Sequence, residues 1–148
     1  MILRRLVQPA AITAILACTT VFGVASSGVA FAESDLSGTV TSAFNEVIPT
    51  VPGKSLIAVV VTYPPSGKTP PHHHAHSAFV TGYVLSGAIR SQVDDGQVRV
   101  FHAGESWTEE PGAAHRVSEN ASATQPAKLL AIFLVDTNDT NLTTLDGQ

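Results

Sequence analysis

From Leu56 onward, short apolar runs alternate with short turn-forming clusters, and no run carries the three-to-four-residue spacing of an amphipathic helix. Leu56-Ile57-Ala58-Val59-Val60-Val61-Thr62-Tyr63 is apolar and largely β-branched, the length and composition of a buried strand. Ala78 to Leu85 reads the same way and stops at Ser86-Gly87. Ala88–Val93 and Val98–Phe101 alternate in character around Asp94-Asp95-Gly96, a hairpin signal because Asp and Gly tolerate positive φ. After the Ala103-Gly104 turn, Glu105 to Glu109 predicts a short strand. Pro111-Gly112 turns the chain again, His115 to Ser118 predicts the next strand, and Leu129 to Val135 the last buried one. Roughly seven to nine closely spaced strands without a helix predict an all-β sandwich or barrel over residues 56–135.

The flanks are less patterned. Residues 33–55 predict a loose N-terminal arm with one edge strand at Phe44–Ile48, and residues 136–148 a polar, frayed tail. Residues 1–32 belong to neither. Arg4-Arg5 precede an apolar stretch from Leu6 to Ala32 that contains no acidic residue and ends in Ala30-Phe31-Ala32, the small-residue pattern of an export signal cut after Ala32. The stretch is also long enough for an uncleaved N-terminal anchor. Ile15-Leu16-Ala17-Cys18 resembles a lipoprotein box, with Cys18 as the lipidation site. The twin arginine lacks the residues that complete a folded-export signal. The expected destination is exported: secreted, periplasmic or cell-envelope, with a signal of bacterial composition, and a membrane enters only through an uncleaved or lipidated N-terminus.

The 148 residues carry a formal charge of -4 with 44% apolar and 14% charged residues, the composition of one globular domain. Without residues 1–32, six Lys/Arg face twelve Asp/Glu, which argues against nucleic acid as a partner. No cysteine follows Cys18, so neither a disulfide framework nor a thiolate ligand is available and burial must supply the stability.

Four of the six histidines lie in His72-His73-His74-Ala75-His76, behind a Pro-rich lead-in from Tyr63 to Pro71. On a strand, His72, His74 and His76 share one face and His73 points away. Same-face neighbours stand about 6.6 Å apart along the strand, close enough for two imidazoles to converge on an ion at ~2.1 Å, whereas His72 and His76 are about 13 Å apart. One pair therefore ligates at most, with His115 as a further candidate from its own turn-flanked strand. A His-rich surface loop binding adventitious zinc is the bland alternative.

The strands, the clustered histidines, Gly104, Pro111-Gly112 and His115 together resemble the cupin superfamily, specifically its small single-domain members, over about residues 56–135. The family's usual motifs are G-x5-H-x-H-x3,4-E-x6-G and G-x5-P-x-G-x2-H-x3-N. The resemblance implies a double-stranded β-helix, or jelly roll, with a divalent transition metal (Fe, Mn, Ni, Cu or Zn) in its mouth. Gly104, Gly112 and His115 keep the second motif's register, although Glu110 stands in its Pro slot and Glu119 in its Asn slot. The first motif has two registers. Pro70-Pro71-His72-His73-His74 favours His72 and His74, while counting back from Gly87 gives His74 and His76 with the carboxylate slot on Val80.

The departure is that carboxylate: no Asp or Glu lies between Glu46 and Asp94, so the first motif has no acidic ligand in either register. Three neutral imidazoles leave the ion its full charge of +2, which favours an anionic small molecule in the open positions. His76 or Gln92 is then a candidate fourth ligand. Glu109 and Glu110 are candidates for a general base or for hydrogen bonding to a ligand, against the plainer reading of a solvated pair beside a turn. Phe79, Tyr83, Phe101, Trp107 and Phe133 are candidates for core or cavity lining. The resemblance implies a metal-dependent oxygenase acting on a small molecule; a non-catalytic metal or ligand binder and a non-redox isomerase are the alternatives. It also implies a homodimer, through strand exchange at Phe44–Ile48.

Overall fold

The computed structural model describes residues 37–147, so the predicted signal or anchor, with Cys18, lies outside the described residues. Eleven strands and no helix make up this region: β1 Thr39–Val47, β2 Lys54–Tyr63, β3 Lys68–Thr69, β4 His72–His74, β5 Phe79–Ser86, β6 Ala88–Val93, β7 Arg99–His102, β8 Ser106–Glu109, β9 Ala114–Asn120, β10 Ala127–Asp136 and β11 Thr143–Leu145. They form two antiparallel sheets, β1-β2-β10-β5-β8 and β11-β4-β9-β6-β7, with β3 pairing β9 off the second. This is the expected jelly roll. The β-branched run of β2 and the apolar run of β10 lie side by side in the first sheet, in register from Tyr63↔Ala127 to Lys54↔Asp136.

The sheets pack face to face over two apolar clusters. One gathers Val61, Tyr63, Val84, Ile89, Phe101, Trp107, Ala127 and Leu129. The other gathers Ala78, Val80, Phe133 and Val135, with Leu142 against it. Val59 touches both. Tyr63 is buried without loss because its hydroxyl bonds Thr69 Oγ1 at 2.7 Å and Ser118 Oγ at 2.9 Å. Burial raises the pKa of this phenol.

Three sequence expectations shift. The edge strand is longer than Phe44–Ile48 and starts at Thr39, with a bulge between Ser42 and Phe44. The polar tail is not frayed throughout, since Thr143, Thr144 and Leu145 pair with His74, His73 and His72. A three-residue polar strand has no apolar period to announce it, and here its pairing with β4 creates it. Among the aromatics, Trp107 and Phe133 line the interior and Phe101 packs beneath Trp107, with ring centroids 4.8 Å apart. Tyr83, by contrast, is exposed and Phe79 half-buried. Their register partners Leu130 and Leu134 alternate with the inward Leu129 and Phe133, which places both aromatics on the outer face of the sheet.

Candidate metal centre

Strand parity decides which histidines meet. His72 and His74 on β4 are buried while His73 between them is exposed, and it faces Asp146 at the molecular surface. Antiparallel pairing sets His72 directly opposite His115 of β9, so all three imidazoles project from one face of the second sheet. Their ring centroids lie 5.0 Å (His72–His74), 5.1 Å (His72–His115) and 6.0 Å (His74–His115) apart. One candidate ligand atom from each lies within 4.8 Å of the others, so the three can serve a single ion.

Second contacts fix the rings. His72 Nδ1 donates to the Pro70 carbonyl at 2.8 Å, which leaves Nε2 as its lone-pair atom. His74 Nδ1 donates to the Leu142 carbonyl at 3.3 Å, so the C-terminal segment that was expected to fray buttresses a central side chain. His115 Nε2 bonds Ser91 Oγ at 2.9 Å. Carbonyl and hydroxyl partners of this kind orient imidazoles that bind metals. Burial pushes the His115 imidazole down to about 4, and it also depresses His72. Both rings are neutral at neutral pH, the form that binds an ion.

Glu109 is the fourth member of the cluster, at the end of β8 and 2% exposed. Its Oε1 accepts from Trp107 Nε1 at 2.9 Å and lies 3.3 Å from His115 Nδ1; its Oε2 lies 3.1 Å from His74 Nε2. Burial works to raise the carboxyl pKa, but the contact with His74, the charge interactions with His115 and His74 and the indole N–H together outweigh it and hold Glu109 below its usual value. Glu109 and Glu110 are therefore unlike neighbours: the alternation along β8 turns Trp107 and Glu109 inward, while Glu110 is exposed at the turn. Period two counted from Trp107 contains this signal. The remaining candidates stand apart from the cluster. His76 is exposed in the loop after β4, over the face of Gly112, where an added Cβ would meet His76 Nδ1 at 2.6 Å. Gln92 donates to the Gly96 carbonyl at 2.9 Å within its own hairpin.

The cluster opens on a cavity of about 270 Å³ between the sheets. Apart from the histidines and Glu109, its wall is mostly apolar, including Val59, Val61, Val80, Trp107, Leu129 and Phe133, and among the described residues it contains no Lys or Arg. Tyr63, Ser118 and Thr143, which sequence reasoning did not assign to the site, also line it. Gly82 lies directly opposite Trp107, and a Cβ there would stand 2.5 Å from the indole; only glycine lets the ring lie against β5.

A two-sheet double-stranded β-helix with three convergent histidines in its interior defines a class of small β-barrel proteins built around a central pocket. The sequence profile of the cupin domain matches residues 59–133, and the chain belongs to the cupin family. No curated protein matches it. Among solved structures it is similar to a conserved double-stranded β-helix protein from Klebsiella pneumoniae, with TM-score 0.59 and 18% identity over 78% of this chain and 89% of that one. It is also similar to an oxalate oxidase bound to the substrate analogue glycolate, with TM-score 0.56 and 21% identity over 77% of this chain and 57% of that one. A DMSP lyase from Ruegeria pomeroyi gives TM-score 0.58 and 19% identity over 74% of this chain and 51% of that one. The chain thus spans little more than half of either enzyme, and at these identities the likeness is one of fold.

Proposed function

We propose that this cupin is a metal-dependent oxygenase for a small molecule, with His72, His74 and His115 holding one divalent transition ion, Fe or Mn for this chemistry. The observation that carries the reading is the convergence of three buried, singly oriented imidazoles on the wall of an otherwise apolar cavity. A bound ion would supply Lewis-acid polarisation of a substrate oxygen and, as Fe or Mn, one-electron chemistry toward dioxygen. The chain's own residues supply the rest. Val59, Val61, Leu129 and Phe133 take the apolar body of the substrate and exclude water, and the Thr69, Tyr63 and Ser118 hydroxyls form the polar strip of the wall.

The substrate carries one anionic oxygen for the ion. With no Lys or Arg among the described residues of the lining, that wall offers no second cation to a dianion. An isomerase needs a proton carrier beside the ion, and among the described residues the cavity's titratable groups are the three histidines, Glu109 and Tyr63, a phenol kept protonated by burial. Glu109 is the one carboxylate among them, whereas redox chemistry at the ion needs no such carrier, and the same lining equally suits a non-catalytic binder of a metal or small ligand. Oxygen consumption separates these two readings. The metal-loaded full chain, offered a panel of aromatic and aliphatic monocarboxylates, enolisable diketones and catechols, should consume dioxygen stoichiometrically with at least one of them. Saturable binding without oxygen uptake across the panel would leave the binding module. Two further proposals follow the same lines: export through residues 1–32, tested by N-terminal sequencing of the protein recovered outside the cytoplasm, and pairing of two copies along β1, which lies at the edge of its sheet, tested by light scattering.

A further inference from the structure

We propose that Glu109 ligates the ion, replacing from the neighbouring strand the carboxylate that the first motif lacks; this rests on the three-histidine reading above. The register carries the inference. Counting back from Gly87 places the family's carboxylate slot on Val80, with five residues between it and His74 where the motif has three or four, and Val80 is a buried β5 residue that lines the cavity. The residue directly opposite Val80 in the β5–β8 pairing is Glu109. Directly opposed residues of an antiparallel pair share a face, with Cβ atoms about 4.5–5.5 Å apart. A carboxylate on β8 therefore reaches the same part of the cavity from one strand away.

The distances agree with a shared ion. Two donor atoms each about 2.1 Å from an ion stand ~3.0 Å apart at a right angle and ~3.4 Å apart at a tetrahedral angle. Glu109 Oε2 lies 3.1 Å from His74 Nε2, and Oε1 lies 3.3 Å from His115 Nδ1. Oε2 is also an orphan: it is buried and, among the described residues, has no hydrogen-bond donor. In the tautomer that donates from Nδ1 to the Leu142 carbonyl at 3.3 Å, His74 Nε2 and Glu109 Oε2 turn lone pairs toward each other, an arrangement that a cation between them resolves. Trp107 Nε1, donating to Oε1, aims the carboxylate. Coordination by Glu109 lowers the charge of the centre from +2 to +1.

The test is titration of the metal-free full chain with Co(II), following affinity and the visible absorption of the bound ion, which reports its ligand set. Wild type, Glu109→Gln, Glu110→Gln and His115→Ala are compared. Gln keeps the size of the side chain and an acceptor for Trp107. The expected result is one Co(II) per wild-type chain, binding weakened more than about 100-fold with an altered spectrum in Glu109→Gln, wild-type behaviour in Glu110→Gln, and no stoichiometric binding in His115→Ala. Wild-type affinity and spectrum in Glu109→Gln, with His115→Ala empty, would overturn the role of Glu109 and leave the three-histidine reading standing. Equal binding in His115→Ala and wild type, or none in wild type, would overturn that reading and this inference with it. Should Glu109→Gln fail to fold, Glu109→Asp takes its place: a shorter carboxylate must weaken binding and shift the spectrum, and unchanged values would overturn the proposal.

Discussion

Two segments supply the centre, and they do so in opposite ways. Residues 72–76 are dense in histidine, yet only His72 and His74 enter the cavity, because the strand turns His73 outward and the chain leaves the strand before His76. Residues 107–115 hold a single histidine and two acidic residues, yet they bring Trp107, Glu109 and His115 inward together. Local density marks the region; strand parity and register decide membership. Counting histidines overvalues the first segment and undervalues the second.

The comparison breaks most sharply on β4. Replacing His74 by Ala should weaken metal binding by at least about 100-fold, while His73→Ala should leave it at wild type, as calorimetric titration with Mn(II) or Zn(II) would show. Equal losses in both would mean that the cluster chelates as a surface tag and that parity is irrelevant.

Removal of residues 142–148 comes next. It deletes the Leu142 carbonyl that receives His74 Nδ1 and the strand that covers β4. Metal affinity should fall by about 10–100-fold, the usual cost of losing a group that orients a ligand. Trp107→Phe asks the same of the second segment: with the indole N–H gone, one oxygen of a buried carboxylate loses its charge-assisted bond, worth roughly 1.5–3 kcal/mol, and metal affinity should drop about tenfold. The smaller Phe ring also leaves space in the cavity wall, so a thermal melt must accompany the titration.

Gly82→Ala is a milder test that acts through packing. The added methyl meets the indole at 2.5 Å, and a cost of about 1–3 kcal/mol in urea unfolding is expected as the ring shifts. The smallest effect belongs to His76→Ala, which should change neither stability nor metal affinity.

Much of this architecture is legible in the residues. The β-branched run of β2, the apolar run of β10 and the Asp94-Asp95-Gly96 turn announce their elements, since each combines a local period with punctuation. Strands β3 and β11 are not legible, being polar and two or three residues long; they exist because β9 and β4 offer edges to pair with. The histidine pair follows from alternation once β4 is taken as a strand. Lining of the cavity does not, because the first sheet carries apolar residues on both faces: Leu130 and Ile132 are half-buried outside, while Leu129 and Phe133 are buried inside. Without knowing which face meets the second sheet, Tyr83 and Trp107 look equivalent. Glu109 sits between these cases. Its inward parity is shared with Trp107, but its role depends on the pairing with Val80, and that register is set only when β5 and β8 come together.

The most direct measurement is the metal content of the full chain, purified without a polyhistidine tag, beside its His115→Ala variant. The account predicts about one transition ion per wild-type chain and none in the variant, because His115 comes from a different strand than the clustered histidines and completes their site. Metal retained at full stoichiometry in His115→Ala would place the ion on residues 72–76 alone and contradict the interior centre.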